Sequence, residues 1–409
     1  MEERGNLRSS VTGSSPRRKW TSWLGTPFWR DERFLRISAQ AIFLVLLVAA
    51  LYALFENLFV ALDRIGLSFS FSFLGEEAGF PISETTFLEY DPSKPFWYAL
   101  LVGILNTLKV SVLGIILATM LGIVVGVARL STNWLVSRIA LGYIEFHRNI
   151  PLLVYLFIWF FVAVQTLPSV QESIILPGPI VLNQRGLYMT WPHLGDGGYL
   201  FMALLALGAL SGVIAWFALR RLEEASGRRT YRWLVSIGII TAMGAAGWIL
   251  AGGRPLAFDT PVLDRFNYTG GLRQTPEFVA LFVGLVLYTA AFIAEVVRSG
   301  IQAVSRGQVE AGLAIGLGNY QILNLVVFPQ ALRVIIPPLI SQYLNLAKNS
   351  SLAVAIGYFD VFFVGRTIIN QAGRAIEVFL LIMAVYLTIS LVTSVILNWY
   401  NRRIQFVTR

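Results

Sequence analysis

The sequence contains no cysteine, only two histidines (His147 and His193) and only four lysines among its 409 residues. Without cysteine there is no disulfide, thiolate metal site or cysteine nucleophile, and two histidines do not make a zinc site without carboxylate help. None of Lys19, Lys94, Lys109 and Lys348 follows a glycine, so the phosphate cradle G-x-x-x-x-G-K-[ST] is missing. Any ATP must therefore be held by another polypeptide. Charged residues make up only 13% of the chain. An intramembrane enzyme needs a convergent set of nucleophile, base or metal ligands, and no such set stands out. A secondary carrier driven by an ion gradient remains as an alternative. Such a carrier usually shows repeated halves with paired interrupted helices, and no repeat is visible.

What the chain has in quantity is apolar length. With 56% hydrophobic residues and a mean hydropathy of +0.67, its apolar surface exceeds what a water-soluble core can bury. Eight apolar runs separate, at roughly 38–62, 97–128, 136–167, 198–219, 234–251, 276–298, 331–356 and 375–400. Each is near the ~20 residues a helix needs to cross ~30 Å of hydrocarbon. The first run is too long for the core of a cleavable signal peptide. Residues 1–37, with Arg17, Arg18 and Lys19, read as a flexible basic tail.

The net charge of +9 is explained by orientation rather than by nucleic acid. If the chain starts inside, 22 of its 32 lysines and arginines fall in inside segments and 8 in outside ones, which places both termini in the cytoplasm. The outside segments 168–197 and 252–275 are rich in Pro, Gly, Asn and Asp and read as loops or short strands. The runs 198–219 and 234–251 carry few polar side chains and read as peripheral.

Between the sixth and seventh runs lies an inside segment too short and too polar to span. Val309, Leu313 and Leu317 recur at i, i+4 and i+8, with Gly312 and Gly316 beside them. The spacing predicts a short amphipathic helix. It fits either a groove on a partner, with Glu310 making a charged contact, or the headgroup layer of the membrane.

Glu310-Ala311-Gly312, Gly316 and, after a gap, Val326-Val327-Phe328-Pro329 resemble the "EAA" loop (E-A-A-x-x-x-G-x9-I-x-L-P) of bacterial ABC importer permeases. Gly312, Val326 and Phe328 depart from it by small changes of volume. Further stretches look like the polar amino acid branch of that family: Glu295 to Arg298, Gln308 to Ala311, Pro329-Gln330-Ala331, Lys348-Asn349-Ser350-Ser351, Asn106-Thr107, and Glu145 through Arg148 to Pro151. Members often have Asp where this chain has Asn349. The enlarged layout is similar to the longer permease of general L-amino acid and glutamate/glutamine-type systems.

The resemblance implies an all-α, polytopic membrane bundle of about eight transmembrane helices. A five-helix type I importer core at 97–167 and 276–400, with its coupling loop at 300–330, would be joined by a leading helix at 38–62 and an insert at 168–275. It implies a permease subunit that imports polar, acidic or general L-amino acids across the bacterial inner membrane and is not itself an enzyme. It also implies two copies of an ATPase carrying ATP and Mg, a second permease that is a different chain, and an extracytoplasmic amino-acid-binding protein. Coupling to the ATPase would rest on Gln308, Glu310, Ala311, Gly312, Gly316 and Pro329.

Individual residues complete the expectations. Gln342, Asn345 and Asn349 form one polar stripe on an apolar helix, with Lys348 and Ser350 beside them, and a stripe facing lipid would be costly. They are candidate path residues, with Lys348 either receiving a substrate carboxylate or pairing with Glu295 or a neighbouring carbonyl. Glu295 with Arg298, and Glu145 with Arg148, have i, i+3 spacing and read as ion pairs near the cytoplasmic gate. Pro151 and the pair Pro337–Pro338 read either as helix breaks that expose backbone groups to a substrate or as kinks that neighbouring helices tolerate. Thr107 is expected to bond its own helix backbone, and Lys109 has no local explanation.

Overall fold

The computed structural model describes residues 32–64, 69–178 and 180–404. The expected basic tail lies almost wholly outside them. The chain divides into two units, 1–70 and 71–409. In the first, α1 (Glu32–Arg64) contains the apolar stretch Phe34–Ala61 and begins six residues earlier than the apolar run. Counting each bent pair of helices as one span, up to eight elements are long and apolar enough to cross a membrane among the described residues.

The second unit is organised around α2 (Phe96–Arg129). Its 34 residues extend about 51 Å at 1.5 Å per residue, well beyond the ~30 Å a span needs. The surplus is clothed by the preceding segment. Phe73, Ala78, Phe80 and Ile82 are buried with Phe96, Ala99 and Val102 in one apolar cluster, so 71–95 is a packed cap rather than a free loop.

The third run is not one helix. α3 (Trp134–Asn149) and α4 (Leu152–Phe161), the latter continued by a π-helical turn to Thr166, are bent by 105° about Pro151. Proline cannot donate to the preceding turn and its ring clashes with the carbonyl four residues back, so the break falls there.

The insert carries all eight described strands, in three small antiparallel sheets. β1 (Ile174–Leu176), β2 (Ile180–Asn183), β3 (Gly186–Met189) and β4 (Trp191–Leu194) precede the hairpin of α5 (Gly198–Ser226) and α6 (Arg232–Leu250). β5 (Leu256–Asp259), β6 (Val262–Leu263), β7 (Tyr268–Thr269) and β8 (Leu272–Gln274) follow it. β3 pairs with β8 through Leu187 and Gln274, and β4 pairs with β5 through Leu194 and Leu256. The two ends of the insert are thus stitched side by side. The helices α5 and α6 pack on each other through Gly208 against Met243 and Gly212 against Ile240, in keeping with a peripheral place.

α7 (Pro276–Gln302) lies along α2. A Cβ at Gly122 would meet Ile293 Cγ2 at 2.6 Å, and one at Gly126 would meet the Ala294 carbonyl oxygen at 2.7 Å. Small residues let the two backbones approach, as lipid-embedded helices require for tight packing. After α7 come α8 (Arg306–Ala314), α9 (Asn319–Ile322), a π-helical turn at Leu323–Val327, α10 (Phe328–Asn349), α11 (Val361–Ala372) and α12 (Ala375–Ile404).

Of the two readings of Pro337 and Pro338, the break does not occur: α10 runs through both, and they lie on its exposed side. The gap between the last two apolar runs, 357–374, holds α11. The Asp360 side chain caps α11 by accepting from Phe363 N–H at 2.8 Å, and Gly373, at φ +68°, closes it.

Candidate functional site

At one end of the bundle α7 passes within a few residues into α8, so the two are mechanically continuous. The short helix forms where it was expected, but it is shorter than the apolar spacing suggested. Its C-terminus is a Schellman turn: Leu317 N–H donates to the Gly312 carbonyl at 3.1 Å and Gly316 N–H to that of Leu313 at 3.0 Å. Gly316 takes φ +83°, where a side chain is strained, and Leu317 falls beyond the helix. Gly312 is buried against Ile322, so its small size makes room for the chain's own next turn. Glu310, Ala311 and Leu313 are exposed, and Ile315 and Tyr320 are more than three-quarters exposed. Gln308 accepts from Gln330 at 3.3 Å, fastening α8 to the first turn of α10, where Pro329 needs no N–H partner.

Above this end, Arg298 pairs with Glu295, its Nε donating to Oε2 at 2.9 Å, and reaches Gln302 as well. The expected Glu145–Arg148 pair does not form. Glu145 accepts from Asn149 at 3.2 Å, while Arg148 lies over the Phe292 ring at 5.3 Å and adds positive charge near Glu295. The bend at Pro151 turns the end of α3 toward α7, so one carboxylate gathers the cations.

Glu295 being taken, Lys348 does not pair with it. Among the described residues Lys348 has no carboxylate within 4 Å. On the same side of α10, Asn345 is exposed and Gln342 and Asn349 are half-buried, whereas Ser350 is buried and donates to the Ala347 carbonyl. Among the described residues, no side-chain hydrogen bond engages Gln342, Asn345 or Asn349.

Lys109, opaque in the sequence, is the centre of a buried knot. Its Nζ donates to Glu84 Oε1 at 2.5 Å, Thr86 Oγ1 at 2.8 Å and Gln274 Oε1 at 2.8 Å, and sits 4.0 Å from the Phe278 ring centroid. Glu84 Oε2 accepts from Thr275 N–H. Asn106 donates to the carbonyls of Glu84 and Phe359, and Thr107 donates to Gly103 while accepting from Val361 N–H. Cap, α2, α7 and the start of α11 thus meet at one satisfied polar centre. Glu377, another acid of the apolar regions, is buried beside Arg374 at 3.6 Å.

Comparison with known proteins gives this geometry its family. The family "Binding-protein-dependent transport system inner membrane component" matches residues 270–406, the part that holds α7 to α12. General L-amino acid transport system permease protein AapQ of Rhizobium johnstonii is 41% identical over 389 residues, covering 95% of this chain and 97% of the relative. Putative amino-acid ABC transporter permease protein YhdX of Escherichia coli is 42% identical over 90% of this chain and 94% of its own. Glutamate/glutamine/aspartate/asparagine transport system permease protein BztB of Rhodobacter capsulatus is 41% identical over 93% and 96%. Among solved structures, an amino acid ABC transporter crystallised with histidines aligns with a TM-score of 0.45 and 19% identity, over 75% of this chain and 95% of that one. Similar to these relatives along nearly its whole length, the chain belongs to the amino-acid ABC transporter permeases, membrane components of ATP-driven importers in which a separate subunit hydrolyses ATP.

Proposed function

We propose that this chain is one of two different permeases that together carry L-amino acids, acidic and polar ones included, across a bacterial inner membrane. An extracytoplasmic binding protein delivers the substrate, and two copies of an ATPase, holding ATP and Mg, drive the cycle. The relatives named for general L-amino acid and for glutamate, glutamine, aspartate and asparagine transport support the substrate class. Both termini lie in the cytoplasm, as the distribution of arginine supports.

One observation carries the coupling role: an exposed nine-residue helix bearing Glu310, closed by Gly316, joined to α7 and tied by Gln308 to the Pro329 turn of α10. A push on α8 moves both helices. Gly312 sets the fold of the helix against Ile322, while Glu310 and Ala311 meet the ATPase. Gln342, Asn345, Lys348 and Asn349 face the second permease across the path, and Ser350 holds the end of α10. Glu295, Arg298 and Arg148 hold the inner gate, with Glu145 at its edge.

The test is co-purification in mild detergent. The wild type brings down a P-loop ATPase and a second permease. Glu310→Lys keeps the second permease and loses at least about tenfold of the ATPase, equivalent to ~1.4 kcal/mol of docking energy. Equal recovery of ATPase by both forms refutes the docking role.

A further inference from the structure

The hairpin of α5 and α6 turns at a patch that holds Arg220, Arg221, Arg228, Arg229 and Arg232 against only two acids, Glu223 and Glu224. Both acids are taken: Glu224 accepts from Arg220 at 2.8 Å, and Glu223 pairs with Arg232 at 3.3 Å. Arg221, Arg228 and Arg229 are exposed and have no carboxylate within 4 Å among the described residues. The turn itself is built. Gly227, at φ +67°, ends α5, and the Thr230 hydroxyl donates to the Leu219 carbonyl at 3.3 Å, so the returning chain is pinned level with the end of the apolar run. Tyr231 is held at φ +48°, the only non-glycine residue with positive φ among the described ones. The Trp216 ring lies 5.8 Å from the Arg220 guanidinium and 5.4 Å from that of Arg232, with the Trp233 ring edge-on to it at 5.7 Å. One indole thus holds a cation from each helix.

The surroundings of the patch point to its occupant. α5 and α6 make their main helix contacts with each other, and Phe217, Tyr231, Trp233 and Leu234 are exposed beside the arginines. Aromatic rings flanking cations at the end of an apolar span match the level where hydrocarbon meets headgroups. An acidic protein surface would satisfy the cations but not the rings. We propose that this turn binds the phosphate of anionic phospholipids, with Arg221, Arg228 and Arg229 receiving it and the Trp216 stack fixing the frame that presents them. A guanidinium fork matches two phosphate oxygens at once. Setting orientation by charge needs no such frame, since cations scattered on a loose loop would serve. The inference goes beyond the transport reading and takes from it only that the turn faces the cytoplasm. Because β3 with β8 and β4 with β5 stitch the outer ends of the insert together, a lipid held at the turn anchors its other end.

The experiment titrates the detergent-solubilised full chain with phosphatidylglycerol and, separately, with phosphatidylcholine, and counts bound lipid by native mass spectrometry. The wild type prefers phosphatidylglycerol. Arg228→Gln with Arg229→Gln weakens that binding roughly 25-fold, at about fivefold for each cation near an anionic surface, and leaves phosphatidylcholine binding unchanged. Arg228→Lys with Arg229→Lys keeps most of it. Arg138→Gln with Arg306→Gln, which removes the same charge from exposed positions elsewhere on the inner side, leaves the strong site intact. Equal weakening by the two Gln pairs shows charge without a site and overturns the proposal, as does a wild type with no preference. Displacement of phosphatidylglycerol by millimolar inorganic phosphate makes free phosphate the ligand and overturns the lipid assignment. Loss of the site when the complete complex is titrated instead shows that another subunit covers the turn, and overturns it as well.

Discussion

Removing either partner of the Lys109–Glu84 pair perturbs the junction of the 71–95 cap with α2 and α7 directly. The side chains are 3% and 1% exposed, and all three ammonium donors are used. Lys109→Met keeps the stem but leaves the Glu84 carboxylate buried with only the Thr86 hydroxyl and the Thr275 N–H. An orphaned buried charge of this kind costs ~3–5 kcal/mol. Glu84→Gln leaves the ammonium with Thr86 and Gln274 and costs a similar amount. The double variant removes both charges and their desolvation penalties, so it costs much less than the two singles together. The assay is a double-mutant cycle on the purified chain, read from equilibrium unfolding in mixed micelles. Single substitutions that each cost under about 1 kcal/mol, or a double variant equal to their sum, would refute the account of the cap as a part locked into the bundle.

Two further outcomes follow from packing and titration. Gly126→Leu pushes α2 away from Ala294 and Val297, so it destabilises the chain by ~1–3 kcal/mol, whereas Gly142→Leu, with open space around its Cβ position, changes little in the same unfolding assay. Burial raises the Asp360 carboxyl to about 7 from 3.8, so the folded chain binds that proton more tightly than the unfolded one. Stability from this group is therefore highest below about pH 4, falls as pH rises toward about 7 and is level above it; Asp360→Asn flattens that slope in thermal unfolding.

Spans and the short helix α8 were legible because both rest on local periodicity and length. Gly312 shows the limit: sequence marks it as small on an apolar face, but only the fold reveals that Ile322 fills the space. Glu145 and Arg148 have the spacing of a pair, yet the bend at Pro151 sends Arg148 toward α7. Pro337 and Pro338 carry a breaking signal that the packing of α10 overrides, because the surrounding helices hold its apolar side. α11 was hidden by being 12 residues long, too short to read as a span, although its Asp360 cap and Gly373 stop were both in the sequence. Lys109 was unreadable for a different reason. Its partners Glu84 and Gln274 lie 25 and 165 residues away, and no local pattern announces such a meeting.

The central claim is that ATP hydrolysed on another subunit drives amino-acid movement through this chain by way of α8. Its most direct measurement is uptake of a labelled amino acid into proteoliposomes holding the complete complex. The account predicts uptake that needs both ATP and the binding protein, persists when ion gradients are collapsed, and is lost with Glu310→Lys. Uptake by this chain without the ATPase, powered by an ion gradient and indifferent to Glu310→Lys, would contradict it.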